Sequence, residues 1–72
     1  MATLMEAFPK EIARVRVVLD QYRAMGPSGQ FGAMMTARAL RTADRAVISG
    51  DMISMVDAYQ ELQDVTAMWL PT

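Results

Sequence analysis

Arg38, Arg41 and Arg45 recur at helical spacing, and Asp57, Glu61 and Asp64 recur at almost the same spacing further along. An arginine row on a helix can lie along a DNA groove, or it can meet a matching acidic row. Other chemistry is scarce. The chain has no histidine and no cysteine, so the usual general base, the thiol nucleophile and the usual ligands of zinc, haem and iron–sulfur clusters are missing. Ser28, Ser49 and Ser54 fall at turns or helix starts, where backbone capping explains them. Glu61 and Asp64 share a helix face, but a paired-carboxylate mechanism needs two acids converging in a cleft. Three short helices leave little room for one. The glycines of Gly26-Pro27-Ser28-Gly29 invite comparison with a phosphate loop, yet no Lys-Ser or Lys-Thr pair follows and the Walker spacing is absent. These residues predict a protein that is not an enzyme, with no metal, cofactor or small-molecule substrate.

The elements that carry these residues read as three helices, about 9–25, 29–48 and 51–69, in an all-α fold. Thr3 and Glu6 have capping-box spacing and suit a short turn before Pro9. Proline fits a first helical turn, so the first long helix is predicted from Pro9. Its core face is Ile12, Val15, Leu19, Tyr22 and Met25, with Val18 beside it and Val17 left exposed. Gly26-Pro27 breaks the chain, and Ser28 is the expected N-cap of the second helix. That helix has a narrow stripe, Ala33, Ala37, Leu40, Ala43 and Val47, with Phe31, Met34 and Met35 supplying bulk at its start. Gly50 suits a left-handed helix stop and Asp51 an N-cap. So short a joint predicts that the last two helices fold back as a tight antiparallel hairpin. The third helix places Met52, Met55, Val56, Tyr59, Leu62, Val65 and Trp69 at core spacing. The arginine and acidic rows are then expected to lace across the hairpin, which disfavours nucleic acid as partner.

Seventy-two residues make one small domain, and chains this short usually need a disulfide, a metal or a partner chain. With 53 % hydrophobic and 21 % charged residues the chain folds, while a net charge of −1 lacks the basic excess of a phosphate-binding domain. No apolar run reaches the roughly 20 residues of a membrane span, and the N-terminus has no secretory pattern. A cytoplasmic homodimer is the expectation. Phe31, Met34, Met35, Met68, Trp69 and Leu70 are its candidate dimer or protein-binding surface, with Trp69 the anchor.

Two resemblances bear on function. Ala46, Gly50, Asp51, Tyr59 and Leu62 resemble the turn and second helix of a tetratricopeptide repeat. Met55 stands where that family has a small residue and no second copy follows, so the likeness implies hairpin geometry alone. The strings EIARVRVVLDQYRAMGPSGQFGAMM and ADRAVISGDMISMVDAYQELQD resemble small proteins encoded by temperate phages and prophages of Gram-negative bacteria. That resemblance implies a non-enzymatic protein in the host cytoplasm that binds and inhibits or modulates a host regulator or defence complex. A structural or accessory subunit of a virion-type assembly is the first alternative. DNA binding through Arg38, Arg41 and Arg45 is the second.

Overall fold

The computed structural model describes residues 3–67. Three helices, α1 (Leu4–Ala24), α2 (Gln30–Ser49) and α3 (Met52–Ala67), form an all-α bundle with no strand among the described residues. Arg16 meets Asp44 and Met5 lies near Val47, so α1 is antiparallel to α2. Phe8 faces Tyr59 and Arg14 reaches Thr66, so α1 and α3 run parallel. Each helix packs on both others.

α1 starts at Leu4 and not at Pro9. The Thr3 side chain accepts the Glu6 N–H at 3.3 Å, and its carbonyl accepts the Glu6 and Ala7 N–H groups at 3.1 and 2.8 Å. Glu6 lies in the first turn, where it favours the helix dipole. Pro9 therefore sits inside the helix, where it removes a backbone hydrogen bond. Burial of Phe8, at 1 % exposure the largest enclosed side chain, opposes that loss.

The connector also differs from expectation. Gly26–Gly29 forms a 3-10 turn, Gly29 is the N-cap of α2, and that cap makes no side-chain hydrogen bond. Ser28 instead turns back and donates to the Met25 carbonyl at 3.2 Å. The joint at Gly50-Asp51 is as read from the sequence. Gly50 is left-handed at φ 69° and donates to the Ala46 carbonyl at 3.1 Å. Asp51 accepts from the Ile53 N–H at 3.2 Å and the Ser54 hydroxyl at 2.8 Å, so it caps α3. The α2–α3 hairpin closes tightly on this joint.

The core is Phe8, Val15, Leu19, Leu40, Met55 and Leu62, filled in by Ala39, Ala43, Ala46 and Ala58. Val47, Met52 and Val56, predicted inside, are about half exposed, and so is Met25. Small residues sit where α2 and α3 approach each other, which sets the rotation of each helix and turns the bulkier neighbours outward. Thr36 occupies the centre of the α2 stripe, fully enclosed, and its hydroxyl has no hydrogen-bond partner. An unpaired buried hydroxyl costs about 1–3 kcal/mol, and valine has nearly the same shape. Thr36→Val should therefore stabilise the fold by about 1 kcal/mol and raise its melting temperature by about 4–8 °C, read by thermal circular dichroism. An unchanged or lower melting temperature would refute this.

A polar fork joins α1 to α3. Buried Glu11 takes a two-pronged bond from Arg14, at 2.6 Å from Nε and 3.0 Å from Nη2. Arg14 Nη2 also donates to the Thr66 hydroxyl at 2.8 Å, and that hydroxyl donates to the Leu62 carbonyl at 2.9 Å. The bond to Glu11 raises the Arg14 pKa against the opposing effect of burial. This fork satisfies a carboxylate that would otherwise be costly to bury, and it ties α1 to α3.

Candidate functional site

The arginine row does not lace the hairpin. Among the described residues the two side-chain ion pairs are Arg14–Glu11 and Arg16–Asp44, and neither uses Arg38, Arg41 or Arg45. The reason is rotation about the helix axis. At about 100° per residue, Arg38 lies about 160° from enclosed Thr36, and Arg41 and Arg45 lie the same angle from enclosed Ala43. All three are exposed on the side of α2 away from the core. The acidic row belongs to a helix with no cation: residues 51–67 hold Asp51, Asp57, Glu61 and Asp64 and no lysine or arginine. Net charge of −1 thus conceals a basic α2 face and an acidic α3.

The bulky residues at the start of α2 share its outer side. Phe31, Met34 and Met35 are 64 %, 58 % and 36 % exposed, so they do not add bulk to the buried stripe. A depression of about 200 Å³ lies between Phe31, Met35, Tyr22, Gly32 and Val65. Gly32 lets the Tyr22 ring pack against α2 at its edge: a Cβ there would overlap that ring. Three of the six predicted surface residues are therefore brought together on one face. Met68, Trp69 and Leu70 lie outside the described residues.

A second apolar region, absent from the sequence-based candidates, lies at the other end of the bundle. An open groove of about 580 Å³ has Phe8 and Met55 in its floor and Met5, Pro9, Ile12 and Val47 on its walls. Ile48 also lines it and is 85 % exposed. Its signal in the sequence is the pair Val47 and Ile48, adjacent large apolar residues that cannot both face the core of one helix.

No helix among the described residues is long and apolar enough to cross a membrane. No protein-family model, no curated protein and no solved structure matches the chain.

Proposed function

We propose that this chain is a small non-enzymatic protein-interaction module that docks a partner on the outer face of α2. The observation that carries this reading is the composition of that face: Phe31, Met34 and Met35, then Arg38, Arg41 and Arg45, all exposed. Aromatic residues, methionine and arginine are the side chains enriched at protein interfaces. The depression beside Phe31 and Met35 suits one buried apolar anchor from the partner, and the arginines suit carboxylates beside that anchor. Methionine adapts to partners of irregular shape. The resemblance to phage-encoded small proteins makes a host regulator or defence complex, bound and inhibited or modulated in the host cytoplasm, our proposed partner.

A photo-crosslinking residue at position 34 should give an adduct of one defined mass in host cells, and one at exposed position 60 should give none. Phe31→Ala with Arg38→Gln should abolish that adduct. Both sites are exposed, so stability should change by no more than about 0.5 kcal/mol. Equal labelling from both positions would sink the proposal. A second reading, DNA binding, is favoured because the arginine row forms no ion pair among the described residues. Salt-sensitive binding of duplex DNA, lost in Arg38→Gln with Arg41→Gln, would replace the first reading with the second.

A further inference from the structure

We infer that the groove between the start of α1 and the end of α2 is the interface of a two-fold symmetric dimer, each copy seating the end of its α2 in the groove of the other. The patch is both concave and convex. Phe8, Ile12 and Met55 line a hollow of about 580 Å³. Beside it Ile48, at the end of α2, projects at 85 % exposure. A two-fold axis brings a surface onto itself, so the patch must hold both a knob and the hole that receives it. This one does.

Charge points to the same occupant. Among the residues lining the groove only Arg16 and Asp44 are charged, one of each sign, facing each other across the rim at 3.8 Å. Both side chains are more than half exposed, so their contact within one chain is weak. A rim with one cation and one anion is complementary to itself after a two-fold rotation: Arg16 of each copy meets Asp44 of the other. A strongly acidic or basic partner would instead leave one of the two opposed by like charge. The wall is apolar and open: Met5, Val47 and Ile48 line it and stand half exposed or more. Covering it also adds buried surface to a 72-residue chain without cysteine, whose own core is small.

The test is sedimentation equilibrium of the full chain at micromolar concentrations, where twice the 8.0 kDa chain mass is expected. Ile48→Asp should shift the mass toward monomer, weakening the dimer about tenfold or more while leaving the helical circular dichroism intact. Arg16→Glu and Asp44→Arg should each weaken the dimer, because each sets like charges across the rim. Mixed in equal amounts, the two variants should regain dimer. In the mixed pair the carboxylate introduced at position 16 of one copy meets the guanidinium introduced at position 44 of the other. The second rim contact of that pair keeps the native Arg16 and Asp44. A contact within one chain would show no such recovery. A monomer at all concentrations would overturn the inference, as would a dimer indifferent to Ile48→Asp or a mixture no tighter than its components. The α2 outer face is untouched by these variants, so crosslinking from position 34 reports on the proposed function independently.

Discussion

Phe8→Ala should leave the chain largely unfolded at room temperature. Phe8 is the largest enclosed side chain, and its ring packs on Tyr59 of α3 at 6.2 Å between centroids, tilted by 46°. Truncating a buried Phe costs about 3–5 kcal/mol through lost transfer energy and the cavity left behind. At about 0.05–0.15 kcal/mol per residue, a domain of this size holds on the order of 4–11 kcal/mol, and small domains sit low in that range. The position makes the loss worse. Phe8 is the apolar anchor of the first turns of α1, and Pro9 immediately after it has already removed one of their hydrogen bonds. Without the ring those turns should fray and open the groove between Met5 and Val47. Urea titration followed by circular dichroism reads this directly. A midpoint within error of wild type would mean that α1 holds without its first turns. Leu62→Ala, at a position equally enclosed in α3, is the control for a core loss far from Pro9.

Phe8 also marks the limit of what the sequence makes legible. Proline favours a helix start, which points to Pro9 and leaves the residue before it outside the core. The competing signal, Thr3 with Glu6, is visible but equally compatible with a separate turn. Local chemistry is legible where it is self-contained: Gly50 and Asp51 stop one helix and cap the next using atoms within four residues. Rotation about a helix axis is not legible. Along α3 two adjacent stripes compete, Met52 and Val56 against Met55, Leu62 and Thr66. Hydrophobicity favours both, and the small side chains of Ala39, Ala43 and Ala58 decide for the second by letting the helices close. The same rotation carries Arg38, Arg41 and Arg45 to the outside, so matching spacing with the acidic row does not become contact. Nor does spacing anticipate a fork joining Glu11, Arg14 and Thr66 across 52 residues. Phe31, Met34 and Met35 are legible because three bulky residues beside an alanine stripe exceed what that stripe can cover.

Gly29→Ala should be as damaging as a core truncation although it adds only one methyl group. Gly29 is buried where the connector passes the end of α1, and its backbone is at φ −96°, which any residue can adopt. The obstacle is therefore steric. A Cβ there would overlap the Tyr22 carbonyl oxygen and meet Met25 Cβ at 3.0 Å. The carbonyl belongs to the last turn of α1 and cannot swing aside as a side chain would. Relief requires the start of α2 to move off α1, which disturbs packing along both helices. Overpacking of this kind costs about 1–3 kcal/mol and occasionally more, and a clash with backbone belongs at or above the top of that range. Gly50→Ala isolates the other reason for a glycine. Nothing lies within 4 Å of a Cβ at Gly50, but φ is +69°, so only the left-handed penalty of about 1–2 kcal/mol applies. Gly32→Ala should fall between them, since its clash is with the Tyr22 ring, which can rotate at the expense of the depression beside Phe31. Urea midpoints should therefore fall in the order Gly50→Ala, Gly32→Ala, Gly29→Ala, with the last lowest. If Gly29→Ala proved milder than Gly50→Ala, the close approach of the connector to α1 would be wrong.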